Sequence, residues 1–277
     1  MPTSWMWRIG AGLGGLTYKL AKKRRAIVAA NLKIVHPDLN EAEIVKLTKE
    51  VFRYSSANLF SSVNTGFISS KRLAKIVEIK GQENLSGLDP DKGCILLGFH
   101  MGNWEVLSRV SPLLNTDKPM GAMFRPLNNA FISEHVEASR KKEGLRLFSR
   151  KRGLIEAHKF LRDGGMLGVL GDQHAGKAGI KLPLFGKETS ISPLPAILAQ
   201  KYDCPIIPIT LTTKSPGKWI ADYQKPFYIS KELSKQEATA QLVPTLERIM
   251  LDNCKDIFWL HDRWKMKQEL KAAKATG

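Results

Sequence analysis

Cysteine is scarce in this chain: three residues in 277, at Cys94, Cys204 and Cys254, with no CxxC pair. Such spacing supplies neither a disulfide framework nor a thiolate metal site, and it fits a reducing compartment. A long apolar run is missing as well. The N-terminal stretch carries Trp5, Trp7, Leu13, Leu16 and Leu20, but only ten uncharged residues separate Arg8 from Lys19, and four of those are glycines. A bilayer span needs about 20 apolar residues, which this stretch does not provide. No small-residue cleavage site follows it, and Lys22-Lys23-Arg24-Arg25 come next, so it does not read as a signal peptide. Aromatic residues at one end and a basic cluster at the other suit an interfacial segment lying on anionic lipid. Acidic residues are the third shortage, 26 Asp and Glu against 43 Lys and Arg, for a net charge of +17. That field attracts nucleic acid, anionic head groups, phosphorylated substrates or an acidic carrier protein. Neither an RRM aromatic signature nor a zinc-finger spacing occurs, so the recognisable nucleic-acid modules are excluded.

What is present is enough apolar content, 43%, to bury a full core. Residues 19–34 and 40–62 read as helices. Strands are expected at 76–79, 94–99, 119–124, 166–171, 205–211 and 219–223. Helices are expected at 104–114, 128–143, 151–162, 193–201 and 234–253, with a loop running up to residue 192. Strands alternating with helices predict an α/β sandwich with a largely parallel central sheet flanked by helices. An N-terminal helical, membrane-proximal segment at 1–70 would precede an α/β domain at 71–277, the two forming one continuous globular unit. In such sheets ligands bind beyond the carboxyl ends of the strands, where His100, Arg125 and Asp172 all fall.

Three histidines are followed five positions later by a carboxylate: His36 by Glu41, His100 by Glu105 and His158 by Asp163. His158 and Asp163 lie on an amphipathic helix, where five steps of about 100° set side chains roughly 140° apart. His36 precedes Pro37 and a loop that caps the next helix, and reads as a solvated loop residue. His100 differs, because residues 94–99 form an apolar run typical of a strand buried on both faces, broken by Gly102 and Asn103. On that turn Glu105 is expected to swing back to the His100 ring. The pair suits a general base and its orienting carboxylate.

Two nucleotide motifs are imperfect. Gly10-Ala11-Gly12-Leu13-Gly14-Gly15 matches GxGxxG, but no strand precedes it. Gly171 to Lys177 approaches a P-loop, yet Ala178 stands where a magnesium-binding hydroxyl belongs and Pro183 cuts short the helix that would follow.

The segment around His100 resembles the HxxxxE/D motif of the glycerolipid and lysophospholipid acyltransferase superfamily. Phe124-Arg125-Pro126-Leu127-Asn128-Asn129 with Arg140 and Gly144, then Gly171-Asp172-Gln173 with Phe185-Gly186, then Trp259-Leu260-His261-Asp262-Arg263-Trp264-Lys265, resemble in order the blocks of bacterial lipid A late acyltransferases. The likeness covers roughly residues 22–266 and departs from the family at the short, glycine-rich start.

The resemblance implies transfer of a fatty acyl group from an acyl carrier protein or acyl-CoA thioester to a hydroxyl of an anionic lipid A precursor. The place of reaction would be the cytoplasmic face of the inner membrane, with no metal, no cofactor and no nucleic acid. His100 would be the general base and Glu105 its carboxylate. An alcohol attacking directly needs no serine or cysteine nucleophile, and no GxSxG elbow occurs. Oxyanion donors would be backbone amides around Gly102-Asn103 or a nearby cation. Asn103, Arg125, Asn128, Arg140, Asp172 and Gln173 become candidate substrate-binding residues, Arg125 because a guanidinium can grip phosphate with two hydrogen bonds. His261, Arg263 and Trp264 read as architectural or interfacial. The alternatives are a phospholipid or glycolipid acceptor served by acyl-CoA, or a non-catalytic basic lipid-binding protein.

Overall fold

A computed structural model describes residues 1–126, 129–149 and 153–265. Three helices open the chain: α1 (Thr3–Leu20), α2 (Lys22–Val35) and α3 (Glu41–Ser62). A short α4 (Ser70–Leu73) leads to β1 (Val77–Lys80), α5 (Glu83–Ser86) and β2 (Cys94–Gly98). Two 3₁₀ turns, Trp104–Arg109 and Ser111–Leu113, precede β3 (Met120–Phe124), α6 (Ala130–Lys141), β4 (Arg146–Ser149), α7 (Leu154–Arg162) and β5 (Met166–Leu170). The hairpin β6 (Ile180–Leu184) and β7 (Lys187–Ile191) is followed by α8 (Leu194–Tyr202), β8 (Ile206–Ser215), β9 (Lys218–Tyr223), α9 (Lys235–Ala240) and α10 (Val243–Asp252).

The main sheet has seven strands in the order β1-β9-β8-β2-β5-β3-β4. Every neighbouring pair is parallel except β8 and β9, so β1 and β9 run against the other five. This is the largely parallel α/β architecture that the alternation of strands and helices predicts. Strand β2 lies at its centre and is buried along its whole length. Its side chains alternate as the pleat requires: Ile95, Leu97 and Phe99 enter one hydrophobic core, Cys94 and Leu96 the other. The N-terminal helices share both cores with the sheet, through Val28, Leu32 and Phe52 on one side and Trp7 and Ala57 on the other.

The Gly-rich start is helical because its glycines face a neighbouring helix. A Cβ on Gly10 would stand 2.8 Å from Ala57 Cα, and one on Gly14 would stand 2.5 Å from the Phe52 carbonyl oxygen. The one-turn spacing of Gly10 and Gly14 therefore lets α1 and α3 approach closely, which is what the false dinucleotide fingerprint encodes. The opposite face of α1 leaves Trp5, Ile9, Leu13, Leu16 and Leu20 exposed. Among the described residues no helix is long and apolar enough to cross a membrane. Helix α3 opens at a capping box, Asn40 Oδ1 accepting from the Glu43 N–H at 3.1 Å and Glu43 Oε2 from the Asn40 N–H at 2.9 Å.

Several elements differ from expectation. The segment 104–114 forms 3₁₀ turns instead of a helix, its apolar residues being too few to sustain one face. The stretch 234–253 breaks into two helices, and Pro244, which has no N–H to donate, occupies the first turn of α10. Strand β4 and the β6–β7 hairpin lie in segments read as loop or helix connection; in the hairpin, Lys181, Pro183 and Glu188 alternate with more buried neighbours. His36 is half-buried, with Nε2 3.3 Å from Cys254 Sγ, and is not a solvated residue.

Candidate active site

The parallel register of the central strands places the two most important side chains. Gly98 on β2 pairs with Leu170 on β5. The ladder runs one residue further, the Gly171 N–H donating to the Gly98 carbonyl at 3.0 Å. Two residues past each strand end, His100 and Asp172 are therefore brought side by side. His100 Nδ1 lies 2.7 Å from Asp172 Oδ1, and the His100 backbone N–H donates to that same oxygen at 3.1 Å.

Asp172 is 4% exposed. Burial works against its ionisation, but the charge and hydrogen bond of the His100 ring, with the Arg263 charge and the His100 N–H, hold its carboxyl below the usual carboxylate range. An ionised carboxylate only accepts, so Nδ1 carries the ring hydrogen and Nε2 presents its lone pair. No hydrogen bond occupies Nε2 among the described residues. Trp104 meets the ring edge-on at 5.4 Å between centroids and in turn meets Phe258 at 5.6 Å.

The turn after His100 is fixed from behind. Gly102 has φ +53°, and a Cβ there would stand 2.1 Å from the Leu211 carbonyl oxygen, so only glycine fits. Its N–H donates to the Asp256 carbonyl at 2.9 Å, which removes it as an oxyanion donor. The Asp256 carboxylate is itself held by the Thr213 hydroxyl at 2.5 Å and the Thr213 N–H at 3.1 Å.

This arrangement corrects the expected partner of the base. Glu105 does not reach the His100 ring. It receives two hydrogen bonds from Arg140 on α6, Nε to Oε2 at 2.8 Å and Nη2 to Oε1 at 2.7 Å. The 3₁₀ turn at residue 104 aims Glu105 toward α6, and the position beside the ring is taken by Asp172. Asn103 differs too. It is 1% exposed and its amide donates to Thr65 Oγ1 at 3.1 Å, so it braces the turn from inside instead of lining an open surface. Arg109, which sequence reasoning missed, completes that brace: a fully buried guanidinium donating to the carbonyls of Thr65 and Ile68 and to Glu143 Oε1 at 2.6, 2.8 and 2.7 Å.

A polar pair beside a base at the crest of a parallel sheet can take a proton from an attacking group. The comparison that decides which reaction it serves is a match of residues 1–266 to the model of the bacterial lipid A biosynthesis acyltransferases. The chain belongs to that family.

This acyltransferase is 26% identical to the lipid A biosynthesis lauroyltransferase of Escherichia coli K12 over 97% of its own length and 88% of the relative's. It is 23% identical to a lipid A biosynthesis acyltransferase of Haemophilus influenzae over 98% and 88%. The crystal structure of the 1-acyl-sn-glycerophosphate acyltransferase of Thermotoga maritima superposes with a TM-score of 0.41 at 14% identity, covering 88% of this chain and 97% of that one.

The remaining candidates surround the acyltransferase dyad unequally. Arg125 is exposed just past the end of β3, and Gln173 is half-buried next to Asp172. Asn128 lies outside the described residues. The C-terminal block closes the site from the other side, because the His174 N–H donates to His261 Nε2 at 3.2 Å. Asn31 on α2 donates to the carbonyls of Trp259 and His261, both at 2.9 Å, tying that block to the N-terminal helices. Burial pushes the His261 imidazole down to about 4, so it is neutral at physiological pH.

Proposed function

We propose that this acyltransferase moves a fatty acyl group from an acyl carrier protein thioester to a hydroxyl of a lipid A precursor, with His100 as general base and Asp172 as its orienting carboxylate. The observation that carries the reading is the hydrogen bond between His100 Nδ1 and a buried, ionised Asp172, which leaves Nε2 as the proton acceptor. The acceptor oxygen attacks the thioester carbonyl carbon while its proton passes to Nε2. The tetrahedral intermediate then collapses, the carbon–sulfur bond breaks, and the imidazolium returns the proton to the departing thiolate. Asp172 stabilises the imidazolium between those two transfers.

Direct attack also suits the cysteines. Burial pushes the thiols of Cys204 and Cys254 up to about 12 and raises that of the buried Cys94, so none is a thiolate at neutral pH. In this scheme the acyl donor is the one co-substrate, and no metal or cofactor enters. Arg140, fixed by Glu105, and exposed Arg125 offer positive charge for phosphates of the acceptor. The names of the relatives support lipid A as acceptor and make a lauroyl thioester the first donor to try.

The reaction would take place on the cytoplasmic face of the inner membrane. Support comes from the exposed apolar stripe of α1, spaced four, four, three and four residues apart, with Lys22-Lys23-Arg24-Arg25 at its end. A stripe rimmed by cations suits insertion at the head-group boundary of anionic lipid. The net charge of +17 also suits an acidic carrier protein.

The test is acyl transfer by purified protein offered lauroyl-carrier protein or lauroyl-CoA and a lipid A precursor. His100→Ala is expected to lower kcat by roughly 10²–10⁴-fold while the fold and lipid binding persist. Full activity in that variant would refute the mechanism. Transfer only from acyl-CoA, or only to a phospholipid, would replace the donor or the acceptor.

A further inference from the structure

Two arginines are buried in this molecule, and they are treated very differently. Arg109 satisfies its guanidinium with two carbonyls and a carboxylate. Arg263, only 2% exposed, has no hydrogen-bond partner on Nε, Nη1 or Nη2 among the described residues. A charge stripped of both water and hydrogen bonds is strongly disfavoured unless an opposite charge lies near.

Arg263 is held beside the dyad by its own segment. Thr189 Oγ1 donates to its carbonyl at 2.7 Å, and two residues earlier His261 Nε2 accepts from the N–H of His174, two residues past Asp172. The charge that acts on the Arg263 guanidinium is the Asp172 carboxylate, which partly opposes the burial that brings Arg263 down to about 10. The other titratable groups are accounted for. His261 is neutral, His174 is lowered by burial, Lys265 is exposed, Asp262 lies next to Arg263 in sequence, and Glu105 and Arg140 neutralise each other across the site.

We propose that Arg263 is a positioning residue for the reaction proposed above, acting on the His100–Asp172 dyad as an unbonded counter-charge to the Asp172 carboxylate. It touches neither ring nor substrate. By favouring the carboxylate it favours the Nδ1–H form of the ring, and by its own positive charge it disfavours the imidazolium until the acceptor proton arrives. The dyad therefore stays unprotonated to lower pH than it would beside a neutral side chain.

The experiment is a nuclear magnetic resonance titration of the histidine rings in substrate-free protein, with the His100 signal assigned by its loss in His100→Asn. Removing the cation makes protonation easier. In Arg263→Met and in Arg263→Gln the His100 midpoint is expected to move to higher pH by roughly 0.5–1, and the acid limb of kcat/KM to move with it. Arg263→Lys, which keeps the charge, is expected to titrate close to wild type. A merely structural arginine would lower activity equally at every pH and leave the midpoint in place. The proposal is overturned if folded Gln and Lys variants titrate alike, or if folded Met and wild-type proteins do. Because the titration needs neither donor nor acceptor, it stands or falls separately from the acyl-transfer assay.

Discussion

Asp172 reaches His100 through one carboxylate oxygen, which accepts from both the ring and the backbone N–H. Such a double hold fixes where the residue sits and which way its ring turns. Asp172→Asn keeps the shape but can offer its amide N–H to Nδ1, which selects the wrong tautomer. Loss of roughly 10²–10⁴-fold in kcat is expected, with little change in KM. Glu105 and Arg140 form a separate unit, so Glu105→Ala and Arg140→Ala are expected to cause similar losses, with the double variant no worse than either single one. Steady-state kinetics on the full cycle checks both statements. Additive losses for Glu105 and Arg140 would show that Glu105 has a role apart from holding that arginine. The sequence already marks His100 and Asp172 as strand-end residues. What spacing along the chain cannot reveal is that β2 and β5 are neighbours in register, and this neighbourhood decides which of two plausible carboxylates meets the ring.

At the scale of elements, α1 has two faces with opposite demands. Its inner face is closed by Gly10 and Gly14 against α3, and its outer face is an apolar stripe. Gly14→Leu must push the helices apart, at a cost of about 1–3 kcal/mol, which for a chain of this size lowers Tm by roughly 2–12 °C. Leu13→Glu combined with Leu16→Glu is expected to leave Tm nearly unchanged yet to weaken binding to anionic vesicles, and thermal melts with vesicle sedimentation separate the two. Unaltered vesicle binding in the double variant would remove α1 as the membrane contact. Elements with a strong period were legible: the buried run at 94–98, the strand at 166–170 and the capped helix beginning at Glu41. Less legible were those whose form depends on neighbours. Strand β4 is four residues long and gains its identity from pairing with β3, while the β6–β7 hairpin is a two-stranded ribbon of mixed polarity. The α1 glycines look like a nucleotide loop until α3 is placed beside them.

For the whole molecule, the basic charge, the N-terminal helices and the sheet serve one arrangement. The N-terminal helices are built into both cores, and the C-terminal block, bonded to α2 through Asn31, returns across the sheet to the dyad. A polypeptide joined in this way holds the base in place while a lipid and a carrier protein approach. The charge was plain from composition, but its role was not. Only the family match over residues 1–266 and the dyad geometry together attach a reaction to it. The most direct test of that account is mass spectrometry of lipid A from cells lacking this protein, complemented with the wild-type or the His100→Ala gene. Loss of one fatty acyl chain from lipid A is expected, restored by the wild-type gene and not by the variant. Lipid A of unchanged mass in the deficient cells, or full restoration by His100→Ala, would contradict it.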